Sequence, residues 1–215
     1  MSAQGDEPVL GFVHRFVPSA GSPVTLLLLH GTGGDEDDLV GLGKTLLPGA
    51  ALLSPRGKVL ENGMPRFFRR LSEGVFDMDD LARRTHELAE FVDKASKAFR
   101  FDTKNVVAVG YSNGANIAAS VLLLHPGLLA GAVLIRVMDP FTEFAVPDLT
   151  GKKVLIEAGT EDKLIPKEQP EALARLFEKG NADVALHWQH AGHQLTQGDV
   201  AVARKWLSKV KGRDF

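Results

Sequence analysis

The chain has 215 residues, 44% of them hydrophobic and 24% charged, proportions of an ordinary globular protein that exclude a disordered or fibrous chain. A formal net charge of -2 gives no field to hold a nucleic-acid backbone or an anionic membrane, so neither is expected as a partner. The absence of cysteine removes disulfides, thiolate metal sites and a cysteine nucleophile together.

A chain of this length buries a core that needs no staple, and one α/β domain over residues 1–215 is expected. Residues 1–8 read as a flexible start without the basic and apolar segments of a signal peptide. No stretch approaches the ~18 apolar residues of a membrane span, and the expected location is cytoplasmic.

Val9 to Val17 alternates loosely and predicts an edge strand or hairpin arm, closed by the turn cluster Pro18 to Pro23. Val24 to Leu29 is an unbroken apolar run, as in a strand covered on both faces. It empties into His30-Gly31-Thr32-Gly33-Gly34, where three glycines free the backbone to aim N–H groups at one point, as an anion-stabilising loop requires. The same loop would serve as a plain connection, but its place after a buried strand and upstream of a G-x-S-x-G strand favours function. Asp35 to Leu47 predicts a helix ended by Pro48-Gly49, and Ala50 to Ser54 a short strand.

Pro55 to Asp77 is the longest stretch without clear periodicity, and its aromatics argue against disorder. It reads as a flap whose Met64, Phe67 and Phe68 line an acyl or aromatic pocket. The arginines of the run Arg66 to Arg70 either face that pocket or pair with Asp77, Asp79 or Asp80. Met78 to Phe99 spaces Leu81, Leu88, Phe91, Val92 and Ala95 as one face of a long amphipathic helix.

The apolar run Val106 to Val109 leads into Gly110-Tyr111-Ser112-Asn113-Gly114 and then a small-residue helix to Leu124. A strand that turns into a helix at G-x-S-x-G holds its serine in a strained bend, with the hydroxyl clear of the sheet edge. The plainer role for such a serine is to cap the helix. Gly131 to Ile135 is the next strand. Arg136 to Thr150 is irregular, and its Pro140, Phe141, Phe144 and Pro147 suit a second pocket wall.

Lys153 to Ala158 is a strand that ends in the loop Gly159 to Pro166, followed by a helix from Lys167 to Lys179 closed by Gly180. Val184 to Trp188 is a late strand before Gln189-His190-Ala191-Gly192-His193, and Thr196 to Val210 is the final helix. This alternation predicts a doubly wound, mostly parallel sheet with helices on both faces.

A serine hydroxyl is a poor nucleophile at neutral pH and needs a base in hydrogen-bond reach, itself oriented by a third group. In open parallel sheets such groups gather at the carboxyl ends of strands. That rule selects Asp162 and His193, which with Ser112 follow the order Ser, Asp, His. The rival acids are Glu157, which strand alternation buries or misdirects, and Glu161, which points the other way from Asp162. His190 is the rival base, at a strand end where histidine is more often structural.

The segments Leu29 to Gly34, Gly110 to Gly114, Gly159 to Pro166 and Gly192-His193 together resemble the carboxylesterase/phospholipase family of α/β-hydrolases, which includes the acyl-protein thioesterases. The likeness runs in the family's order from about residue 24 to the C-terminus. It implies an α/β-hydrolase fold, with Ser112 as nucleophile, His193 as general base and then acid, and Asp162 holding the imidazole tautomer. It also implies an oxyanion hole from the backbone N–H groups of Thr32 and Asn113, in accord with the positive N-terminal end of the helix behind the serine, and a homodimer.

Asn113 stands where the thioesterases usually carry Gln, and Phe67-Phe68 where their flap has a Trp. The run Arg56 to Arg69 looks more like a bacterial branch of small esterases, some tied to quinone or aromatic-compound resistance. The expected activity is therefore that of a serine carboxylesterase on a small-molecule ester, through an acyl-enzyme, with no metal and no organic cofactor. The alternatives are a thioesterase or lysophospholipase on the same triad, and a non-catalytic small-ligand sensor on a hydrolase scaffold.

Overall fold

The computed structural model describes residues 3–5, 10–139 and 145–210. Eight strands form the main sheet, in the order β1 (Ala3–Gly5), β2 (His14–Val17), β4 (Ala51–Pro55), β3 (Thr25–Leu29), β9 (Val106–Tyr111), β10 (Gly131–Ile135), β11 (Lys153–Gly159) and β12 (Asp183–Gln189). From β4 to β12 every pairing is parallel, while β2 runs antiparallel to β4 and β1 to β2. The mostly parallel, doubly wound sheet predicted from the alternation is the one observed.

The apolar runs are strands because both of their faces are covered. On β3, Leu27 and Leu29 join one core with helices α2 (Met78–Phe99), α3 (Asn113–Leu124) and α4 (Glu168–Lys179). Leu26 and Leu28 join the opposite core with α1 (Val40–Leu46) and α5 (Gln197–Val210). Helix α2 starts where Asp77 accepts from the Asp80 N–H, and stops where Arg100 turns left-handed at φ 60°. Helix α3 is buried from Asn113 to Leu123, and its small residues let it lie directly on the sheet. A Cβ added to Gly114 would sit 2.0 Å from the Leu29 carbonyl oxygen.

Four differences from the sequence reading have local causes. Within the loosely alternating Val9 to Val17 the strand is β2, at its end, and β2 is second from the edge because Ala3–Gly5 pairs outside it. Residues 1–8 therefore contain a paired strand where a flexible start was expected; residues 1–2 and 6–9 lie outside the described residues. Helix α1 begins only at Val40, after turns at residues 36–39.

The flap is not irregular but two small hairpins, β5 (Val59–Glu61) with β6 (Met64–Arg66) and β7 (Arg70–Ser72) with β8 (Val75–Phe76). At the tip of the first, Asn62 and Gly63 both take positive φ, 52° and 79°, the backbone of a type I′ turn. Of the second pocket wall, Pro140, Phe141 and Phe144 lie outside the described residues. Among those described, no helix is long and apolar enough to cross a membrane.

Candidate active site

Strand β9 delivers Ser112 to the carboxyl edge of the sheet. The residue adopts φ 52° and ψ -114°, a conformation that costs a non-glycine residue about 1–3 kcal/mol unless its surroundings enforce it. They do so on two sides. The Ser112 N–H donates to the Ile135 carbonyl at 2.9 Å, and Gly110 and Gly114 pass so close to their neighbours that no side chain fits at either. The serine makes no side-chain cap bond to α3, so its hydroxyl is left for another partner.

That partner is His193, whose Nε2 stands 3.0 Å from Ser112 Oγ. The other ring nitrogen, Nδ1, is 2.8 Å from Asp162 Oδ2. A carboxylate only accepts, so Nδ1 carries the proton and Nε2 is the acceptor that faces the serine hydroxyl. The second Asp162 oxygen accepts from the Leu164 and Ile165 N–H groups at 2.9 and 3.1 Å, which fixes the carboxylate at both ends. The Asp162 side chain is only 2% exposed while that of His193 keeps 24%, so the base meets the cleft and the acid does not.

The rival groups are elsewhere. Glu161 and His190 are exposed and pair with each other at 3.4 Å. Glu157 is fully buried within β11.

Thr32 and Asn113 border the same cleft as Ser112 and His193, a space of about 250 Å³. The loop that carries Thr32 is held from several directions. His30 is a neutral imidazole, with Nδ1 bonded to the Gly31 carbonyl at 2.7 Å and Nε2 accepting from the Gly57 N–H at 2.9 Å; burial lowers its pKa. Strand β6 then reaches over the loop: Gly33 N–H donates to the Pro65 carbonyl at 2.9 Å, and Arg66 Nη1 to Thr32 Oγ1 at 2.6 Å. The Phe67 N–H donates to Asn113 Oδ1 at 2.7 Å. The short flap segment Pro65 to Phe67 thus ties both residues named for the oxyanion hole, which the flap sequence gave no sign of.

The substrate-binding residues expected in the flap need correcting. Phe67 and Phe68 are core, at 2% and 0% exposure; Phe67 lies against His30 and Phe68 edge-on to Phe76, with ring centroids 4.7 and 5.0 Å apart. Met64 is exposed and sits over Gly33. None of the three lines the cleft. The hairpins fold the aromatic pair inward, and the wall passes to Arg66, Arg70, Phe76, Met138, Leu164 and Ile165. In the arginine run, Arg69 pairs with Asp77 at the surface, as one reading had it, whereas Arg66 and Arg70 share Glu61. No cluster of three or more His, Asp or Glu side chains suited to a metal ion occurs among the described residues.

Residues 69–205 match the dienelactone hydrolase family. The putative hydrolase MhqD of Bacillus subtilis (strain 168) is 52% identical over 185 residues, 86% of this chain and 92% of that protein. Among solved structures, the Bacillus cereus carboxylesterase is 50% identical with a TM-score of 0.91, over 94% of this chain and 96% of that one. A carboxylesterase from Mesorhizobium loti is 32% identical with a TM-score of 0.90, over 96% and 98% of the two chains.

Proposed function

Since the chain belongs to the dienelactone hydrolase family, we propose that it is a serine carboxylesterase that cleaves small esters through an acyl-enzyme on Ser112. The observation that carries this reading is the unbroken hydrogen-bonded line from Ser112 through His193 to Asp162. Two structural relatives named as carboxylesterases support it.

Ser112 Oγ attacks the ester carbonyl carbon as its proton passes to His193 Nε2. Asp162 keeps the Nδ1 proton in place and stabilises the imidazolium that forms. The carbonyl oxygen takes up the negative charge, facing the backbone N–H groups of Thr32 and Asn113; each such donor contributes about 3 kcal/mol to the transition state. Collapse of the tetrahedral intermediate breaks the bond to the alcohol, which leaves with the proton from His193. Water then repeats the sequence at the acyl carbon, releasing the acid and restoring the serine.

Ser112→Ala tests the assignment directly. Turnover of p-nitrophenyl acetate is expected to fall by roughly a thousand-fold or more, with the circular dichroism spectrum and melting temperature close to those of the parent. A fluorophosphonate probe is expected to label the parent at Ser112 and to leave the variant unlabelled. A folded variant that still turns over the ester would overturn the proposal.

A further inference from the structure

One buried guanidinium reaches from the strand beside the nucleophile to the loop that carries the base. Arg136 follows β10 directly and takes a left-handed φ of 57°. Its side chain and that of Asp199 on α5 are both fully buried, joined by two bonds of 2.9 Å in a forked contact. The remaining donors go to backbone carbonyls. Nε donates to Gly192 at 2.9 Å, Nη2 also to Gln194 at 3.1 Å, and Nη1 also to Glu157 at 3.3 Å.

The carbonyl between those of Gly192 and Gln194 is that of His193 itself, and it accepts from the Tyr111 hydroxyl at 3.1 Å. Three consecutive carbonyls around the imidazole are therefore held, two of them by Arg136. Asp199 pins the downstream end as well, accepting from Thr196 N–H and Oγ1, both at 2.7 Å. The preceding residue, Ile135, supplies the carbonyl that holds Ser112 N–H. Neighbouring residues of one chain segment thus fix the backbone of the nucleophile and the backbone of the base.

A buried ion pair seldom stabilises a fold more than apolar side chains of the same volume would, so its worth lies in what its geometry specifies. Here the planar fork specifies where the loop of His193 sits. We infer that Arg136, locked by Asp199, is the positioning residue for the general base, setting the approach of His193 Nε2 to Ser112 Oγ; this rests on the catalytic reading given above.

Arg136→Lys is the informative variant, because an ammonium can keep the ion pair with Asp199 but cannot also grip the carbonyls on either side of His193. Misplacing a catalytic group by about 1 Å costs up to about 100-fold in rate. The expected result is a folded protein whose kcat for p-nitrophenyl acetate falls by about ten-fold or more, with KM within about two-fold of the parent. The low-field proton resonance of the His193 Nδ1–H to Asp162 bond is expected to weaken, a change that loss of general stability would not produce. A folded Arg136→Lys with parental kcat and an undiminished resonance overturns the inference.

If Arg136→Lys does not fold, Asp199→Asn decides instead. The same kcat loss at constant KM supports the brace, and parental kcat with an unchanged resonance overturns it. Ser112→Ala assayed alongside separates the two levels: turnover there sinks the catalytic reading itself, whereas an inactive Ser112→Ala beside a fully active Arg136→Lys sinks only the positioning role.

Discussion

A carboxyl group cut off from water and from hydrogen-bond donors keeps its proton. Both oxygens of Glu157 are buried and lack a hydrogen-bond partner among the described residues, with His187 Nδ1 within ion-pair range at 3.6 Å. Desolvation, reinforced by the Asp199 carboxylate and opposed by Arg136, pushes its pKa from 4.5 up to about 8. Between those two values the folded chain holds a proton that the unfolded chain has released. Stability therefore falls as pH rises from about 4.5 to about 8 and levels off above, once both states are ionised. Glu157→Gln removes that slope. In denaturant titrations the variant is expected to gain on the parent between about pH 5 and about pH 8.5, at about 1.4 kcal/mol for each unit of pKa displacement removed. A difference that stays constant over that range would rule out this titration.

Secondary-structure elements constrain the site through close approach rather than through charge. Because an added Cβ at Gly114 would meet the Leu29 carbonyl, Gly114→Ala forces α3 away from β3 and draws Asn113 out of the cleft with it. Overpacking of this kind costs about 1–3 kcal/mol or more. A melting temperature lowered by several degrees, together with a fall in kcat, is expected; an unchanged kcat would separate the helix position from the chemistry. The central strands were legible because β3, β9 and β11 are apolar runs that lead into glycine-containing loops, and Ser112, Asp162 and His193 were singled out because each follows the carboxyl end of a strand.

The hairpins were not legible, because three-residue strands such as β5 and β6 are too short to show alternation. The one local signal there is the turn pair Asn62-Gly63. Phe67 and Phe68 were correctly read as ordered, but composition does not say whether an aromatic ring faces core or cleft. Arg136 was invisible for a different reason. It sits in an irregular stretch, and its partner Asp199 is 63 residues away, beyond the reach of any local pattern.

Taken as a whole, the molecule gathers its reactive groups on one edge. β9, β11 and β12 deliver Ser112, Asp162 and His193 there, and the two hairpins between β4 and α2 roof the same edge. The space left is about 250 Å³, below the range typical of pockets for drug-sized ligands. Acetate and butyrate esters of p-nitrophenol are therefore expected to exceed the dodecanoate by about ten-fold or more in kcat/KM. Equal values along the series would mean that long chains lie outside this cleft.

The crossing of the two loops behind the triad bears on how such a scaffold diversifies. Gly159, at the root of the Asp162 loop, passes so near Ala191 and Gly192 that a Cβ there would stand 2.5 Å from each carbonyl oxygen. An insertion in either loop would prise acid and base apart. The second hairpin, β7 with β8, by contrast forms a sheet of its own and leaves the main sheet's ladder untouched. Inherited variation can accumulate in that hairpin, whose Arg70 and Phe76 line the cleft, altering which ester is admitted while the bond-breaking groups behind stay in register.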